Sequence, residues 1–263
     1  MAKKIFWSTL TLVIATVIGV GAGYVYFRAQ VLKLETHYPM WTGKEYKLVK
    51  YKPSYWVREG LVSKSAKWAI IISEDWPFFQ HQGIDVDQIQ IAIEQSIEQK
   101  RLVRGASTIT QQVIKNVFLT NERSLLRKGK EVILALIMEQ YLSKKKILEL
   151  YLNIIELGEG IRGIKPASFY YFNKPPSLLD AKEGAFLAML LPSPIRYGHS
   201  FRERKLTKYA KEQIERVLLR LRQAKVITEE QRLMHLNDVL SFETRAENLI
   251  DEDILGFENE KYE

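Results

Sequence analysis

After Lys3 and Lys4 the chain runs from Ile5 to Phe27 without a charged residue. A helix of that length would reach roughly 34 Å, enough to cross a bilayer core, so the stretch is expected to be one transmembrane helix. A cleaved signal peptide is the competing reading, because a basic start and small residues around Gly21 to Gly23 fit it; the apolar run, however, exceeds a usual signal core. Arg28, Lys33, Lys44 and Lys47 follow the span, so the basic-residue bias does not favour a cytoplasmic N-terminus. From Val31 to about Lys67 the chain is rich in aromatic and basic residues without a long helical period. Beyond Ala69 the period becomes helical. Ile89, Ile93 and Ile97 form one apolar face, Ile133, Leu136, Ile137 and Tyr141 a second, and Ile147, Leu148, Tyr151 and Ile154 a third.

Ala181, Gly184, Ala185 and Ala188 make a small-residue stripe that predicts close helix packing, with Pro192 and Pro194 ending the helix. Arg202 to Lys225 reads as a basic amphipathic helix whose apolar side carries Ile214, Val217, Leu218 and Leu221; its outer face is either solvated or set on a membrane surface. Thr228 with Gln231 predicts a capping-box start for a last helix. The end, from Glu243, is strongly acidic and reads as a mobile tail. No alternating Val/Ile segments bounded by hairpin turns stand out, so the class is mainly α. The expected divisions are 1–30, the anchor; 31–68, a membrane-proximal subdomain; 69–200, the catalytic core; and 201–263, C-terminal helices and tail.

Composition narrows the chemistry. The 263 residues hold no cysteine and four histidines, which leaves no disulfide framework and little material for a His-built zinc site. A net charge of +8 points to an anionic partner: nucleic acid, a phospholipid surface or a phosphorylated substrate. No zinc-finger, RNP or basic-zipper pattern is present, so nucleic acid is not expected as a partner.

Four segments carry candidate chemistry. The first, Glu74 to Asp85, sets Glu74 and Asp75 side by side after an apolar run; alone, such a pair is usually a helix terminus or a solvated turn. In the second, Arg104 to Asn116, a glycine precedes the hydroxyl- and amide-rich run Ser107-Thr108-Ile109-Thr110-Gln111-Gln112, which is expected to open a helix. That run could hold phosphate or sugar oxygens, and an ordinary N-cap would look the same. In the third, Arg123 to Glu139, Arg127 and Glu131 stand four residues apart on one helical face beside Lys128, a spacing shared with surface ion pairs. The fourth runs from Lys146 through Asn153 to Lys174 as a helix, a Gly-rich turn and a helix carrying aromatics.

Together these segments resemble the family 51 glycosyltransferase domain of peptidoglycan synthases, found alone in monofunctional transglycosylases and as the first domain of bifunctional penicillin-binding proteins. The resemblance covers about Ala69 to Tyr197. It carries five motifs in order: ED-x-x-F-x-x-H-x-G-x-D at Glu74 to Asp85, G-x-STITQQ-x-x-KN at Gly105 to Asn116, RK-x-x-E at Arg127 to Glu131, K-x-x-ILE-x-YLN at Lys144 to Asn153, and G-x-x-x-A-x-x-YF at Gly163 to Phe172. Ala106 and Asn173 depart from it, each standing where many members have glycine.

The resemblance implies a lysozyme-like, mainly α fold with a smaller membrane-proximal subdomain. It implies that Glu74 is the general base for the acceptor 4-hydroxyl and that Glu131 is the second carboxylate, near the donor pyrophosphate and any bound Mg or Mn; no organic cofactor is implied. Lys115, Arg123, Arg127 and Lys128 would hold the pyrophosphate. Ser107, Thr108, Gln111 and Gln112 would shape the site, with Asp75, Phe78, His81 and Asn116 as further substrate-binding positions. The implied partners are lipid II, the growing glycan chain, the membrane and proteins of cell-wall synthesis or division. The implied location is the bacterial cytoplasmic membrane, single-pass, with the catalytic domain outside. A membrane-anchored lytic muramidase and a non-catalytic scaffold are the rival readings. A bifunctional synthase is not expected: Ser143 to Lys146 spells S-x-x-K, but no SDN or KTG partner follows.

Overall fold

The computed structural model describes residues 2–99, 107–119 and 124–243. Twelve α-helices and two small hairpins lie among them. In chain order they are α1 Ala2–Lys33, β1 Tyr38–Trp41, β2 Tyr46–Val49, α2 Lys64–Glu74, α3 Val86–Glu98, α4 Ile109–Phe118, α5 Leu125–Tyr141, α6 Lys144–Ile154, β3 Glu156–Gly158, β4 Ile161–Arg162, α7 Ile164–Phe172, α8 Ala181–Leu190, α9 Pro194–Tyr197, α10 His199–Arg202, α11 Lys208–Gln223 and α12 Glu229–Asn237. The mainly α class is therefore what the chain adopts. The two antiparallel hairpins, β1 with β2 and β3 with β4, were not expected. Strands of two to four residues are too short to impose a visible alternation.

The chain divides into two compact units, Met1–Pro53 with Phe79–Leu150 and Ser54–Phe78 with Tyr151–Glu263. In the first, α1 is long and apolar enough to cross a membrane over Lys3–Lys33. Its hydroxyls are satisfied within the helix: Thr9 Oγ1 donates to the Ile5 carbonyl, Thr11 to Trp7 and Thr16 to Leu12 at 2.8–3.0 Å, which lets them sit in hydrocarbon. Most of α1 is exposed, but one face of its last turns is covered: Phe27, Val31 and Leu34, just past its end, are buried. There Phe27 meets Phe118 edge-on at 5.2 Å, Arg28 lies over the Tyr141 ring at 5.2 Å, and the Tyr24 and Tyr141 hydroxyls are 2.6 Å apart.

Two expected apolar faces of this unit fare differently. Helix α3 forms, capped by Asp85, yet none of its residues is buried, and Ile93 and Ile97 are 55% and 73% exposed. On α5 the buried face is Glu131, Ala135, Ile137 and Met138, whereas Ile133 and Leu136 point outward. The i,i+3,i+4 stripe identified the helix correctly but not the face that its neighbours cover.

The second unit is built around α8, all ten of whose residues are buried. The small-residue stripe does what its composition predicts: a Cβ on Gly184 would stand 2.4 Å from Ala66 Cα on α2, so the two helices meet backbone to backbone. An Asp180–Glu183 capping box starts α8, and Lys174 pairs with Glu183 at 2.7 Å. Burial, the largest influence on Glu183, pushes its carboxyl pKa up against those partners. Asn173, one of the two departures from glycine, closes α7 at φ 53°, ψ 37°, the left-handed cap that asparagine tolerates best after glycine. The expected amphipathic helix at Arg202–Lys225 is shorter than its pattern: Thr207 caps α11, which ends at Gln223, and Arg204 and Lys225 take positive φ on either side. The Thr228–Gln231 capping box forms as expected. The acidic end from residue 244 and the departure at Ala106 lie outside the described residues.

Candidate active site

Glu74 is the last residue of α2 and Asp75 is its C-cap. This is the negative end of the helix dipole, where the helix presents carbonyls and not N–H donors. A donor for Glu74 comes instead from α6. Tyr151 is fully buried, and its hydroxyl hydrogen-bonds the Glu74 side chain. Burial above all, and then the nearby charges of Glu74 and Asp75, hold the Tyr151 pKa well above the ordinary phenol value. The phenol therefore stays neutral and able to donate. Glu74 is half-buried and Asp75 buried. Phe78, fully buried, fixes the turn after them, its N–H donating to the Asp75 carbonyl at 3.0 Å. Asn153 clamps the strand-like segment that leads into α2: its carboxamide accepts from Val57 N and donates to Val57 O, both at 2.8 Å.

The described residues of the second and third motifs, and those of the first from Phe79 onward, lie in the first unit. Helix α4 opens as expected: Thr108 is its N-cap, and Gln111 Oε1 accepts from the Thr108 N–H at 3.0 Å to complete a capping box. Thr108 Oγ1 also donates to the Gly83 carbonyl at 2.7 Å. Gly83, at φ 87°, lies so close to α5 that a Cβ would sit 2.9 Å from the Ala135 carbonyl oxygen. Gly83 of the first motif is thus tied to Thr108 of the second by a hydrogen bond and set against the α5 backbone one turn beyond the third. Thr110 Oγ1 and Lys144 Nζ share Glu139 Oε1, tying α4, α5 and the start of α6. Gln112 and Asn116 are half-buried on α4 and Lys115 is exposed; His81 is half-buried in the turn before α3.

The RK-x-x-E motif folds into a charge cluster. Ser124 caps α5, so the first turns present Arg127, Lys128 and Glu131 on one side. Glu131 is only 2% exposed, with Arg127 Nη1 2.8 Å from Oε2 and Lys128 Nζ 2.5 Å from Oε1. Lys128 Nζ donates further to Ser107 Oγ at 2.9 Å. Two cations around one carboxylate leave a local excess of positive charge with its geometry already set. Arg123 lies outside the described residues.

A resident metal does not fit this donor set. Both Glu131 oxygens are already taken by cations, and no group of three or more His, Cys, Asp or Glu side chains able to hold an ion occurs among the described residues. Sequence reasoning placed Tyr151 in an apolar core face and missed its bond to Glu74. The one available signal was a hydroxyl within an otherwise aliphatic stripe.

Residues 43–222 match the transglycosylase family. The chain is similar to a biosynthetic peptidoglycan transglycosylase of Nitrosomonas eutropha, 42% identical over 59% of this chain and 64% of that protein. It is similar to one of Acinetobacter baumannii strain ACICU, 42% identical over 63% of this chain and 71% of that one. The match thus spans a little under two thirds of the Nitrosomonas protein. Penicillin-binding protein 1A of Haemophilus influenzae shares 23% identity over 59% of this chain and 20% of its own, at a TM-score of 0.31, too low to carry an argument. With the family matched over most of its length and two such relatives, the chain belongs to the transglycosylase family.

Proposed function

We propose that this chain is a peptidoglycan glycosyltransferase that polymerises lipid II into β-1,4 glycan strands. The observation that carries the reading is the Arg127–Glu131–Lys128 cluster, a preorganised, net-positive site in a chain of the transglycosylase family. A lipid pyrophosphate leaves as a stable anion and needs positive charge around it, whereas the leaving sugar of a glycosidase needs an acid. Lys115, Arg127 and Lys128, with Arg123, hold the developing pyrophosphate charge. Glu131 orients the two cations on either side of it.

Glu74 takes the proton from the 4-hydroxyl of the acceptor sugar as that oxygen bonds to the donor's anomeric carbon. The bond from that carbon to the pyrophosphate oxygen breaks, undecaprenyl pyrophosphate departs with the bonding pair, and the anomeric centre inverts. Because lipid II is polymerised on the outer face, α1 anchors the chain in the cytoplasmic membrane with everything after it outside, within reach of cell-wall synthesis or division proteins. Incubating the purified full chain with labelled lipid II should yield muramidase-sensitive polymer. Cleavage of finished glycan instead would make it lytic, and neither activity would make it a scaffold. A C-terminal reporter active only in the cytoplasm would overturn the topology.

A further inference from the structure

The second unit contains a cleft of about 150 Å³ that the family motifs do not account for. Ser73 and Glu74, at the end of α2, line one side, and Tyr209, Gln213, Arg216 and Arg220, on α11, line the other. The residue proposed as base therefore shares a cleft with two guanidinium groups from a helix outside all five motifs.

These arginines differ from their neighbours. Arg222, on the same helix, pairs with Glu229 at 3.1 Å, and Arg232 pairs with the same carboxylate. Among the described residues neither Arg216 nor Arg220 makes an ion pair, although Glu212 lies one turn before Arg216. Like charges at i,i+4 repel, and the repulsion disappears when one anion bridges both. The cleft also holds an unused hydroxyl: Ser73 Oγ is buried without a hydrogen-bond partner among the described residues. A buried polar atom left unpaired is costly unless a ligand or water completes it. Two fork-shaped donors, an orphan hydroxyl and a carboxylate base in one cleft form a surface for a polar, anionic molecule with a hydroxyl to be activated.

We infer that Arg216 and Arg220 form an anion subsite beside Glu74 that holds an oxyanion of the acceptor substrate, either its pyrophosphate or a carboxylate of its peptide. The inference rests on the proposed function. The subsite would orient the acceptor by its charged part while Glu74 works on its hydroxyl, so the arginines are positioning residues. Neither arginine belongs to the Lys115, Arg127 and Lys128 set assigned to the donor.

The test uses the full-length protein and the exposed-surface variants R216Q/R220Q and R216K/R220K. In lipid II polymerisation the Gln variant should raise KM roughly tenfold or more with kcat within about threefold, and the Lys variant should fall between, as expected for charge-assisted recognition. Binding of a phosphoglycolipid donor mimic should be unchanged. Titration with the soluble disaccharide-peptide and with inorganic pyrophosphate identifies the anion: weakening of the first alone indicates a carboxylate, and of the second alone a pyrophosphate. Parent-like KM together with parent-like binding of both probes would overturn the subsite. So would a fall in kcat at unchanged KM, which a merely structural helix would give. If the parent makes no polymer, the functional reading fails, and the two titrations still decide whether the arginines bind an anion.

Discussion

Tyr151, buried in the core, hydrogen-bonds Glu74 at the negative end of α2. A phenol that resists ionisation, next to a carboxylate with no support from its own helix, acts as a fixed donor. Tyr151→Phe keeps the ring and removes the hydroxyl. We expect kcat to fall about tenfold with KM nearly unchanged, the size of one lost hydrogen bond to a charged group. The acid limb of the pH–rate profile should move to higher pH, because the bond favours the charged carboxylate. A parent-like profile in a folded variant would show that the hydroxyl has no part in setting the base.

Glu74→Gln preserves size and hydrogen bonding but cannot accept the acceptor's proton. Polymer should vanish, while binding of a moenomycin-type donor mimic stays within about tenfold, since its affinity comes mainly from the basic set. Polymerisation at the parent rate would move the base elsewhere.

Lys115 and Arg127 should separate in stability although they share a role. Each change to alanine should cut turnover about 10²-fold or more, as loss of a preorganised charge partner does. Lys115 is exposed, so its loss should leave the melting temperature alone. Arg127 holds one oxygen of Glu131, which is 2% exposed, and its removal should also destabilise the fold by about 1–3 kcal/mol. Thermal denaturation beside an activity assay reads both.

Gly184→Ala puts a methyl group against the α2 backbone at Ala66. Neither helix can yield by rotating a side chain, so α2 must shift, and Glu74 ends α2. Stability should drop by roughly 1–3 kcal/mol from overpacking, and turnover should drop further than stability explains. A variant that melts lower but turns over normally would show that the α2–α8 contact does not set the position of the base.

Alkaline pH offers an independent probe of the second unit's core. Tyr171 is buried and donates to the Leu157 carbonyl at 2.8 Å. Burial first, then the neighbouring Tyr170, pushes its pKa up to about 12. The folded value lies above the unfolded one, so the associated stability is complete below about pH 10 and is lost as pH rises toward the folded value. The melting temperature should fall across that window, and Tyr171→Phe should flatten the fall. An equally steep decline in the variant would assign the loss to other groups.

What the sequence made legible follows from the range of the interactions involved. The capping boxes at Thr108 and Thr228 and the Arg127–Lys128–Glu131 cluster depend on neighbours three or four residues apart, and each formed as its spacing indicates. The Gly184 stripe was legible because only small residues permit so close a crossing. The bare side chains of α3 and the outward Ile133 and Leu136 were not legible as exposed, since periodicity reveals a face and not what covers it. The Tyr151–Glu74 bond and the α2–α11 cleft join distant parts of the chain, and no local pattern encodes either.

The continuity of α1 has a mechanical meaning. Its 32 residues extend about 48 Å, well beyond an apolar core of about 30 Å, and its last turns are gripped by Phe118 and Tyr141. In a bilayer, as proposed, such an anchor is a post and not a rope: it would set both the height of the first unit above the lipid and the side it turns toward the headgroups. One residue added at its middle would rotate that unit by about 100° and lift it by about 1.5 Å. Length and phase in this helix would then be as much a part of how the protein meets the proposed lipid-borne substrate as the side chains that touch it.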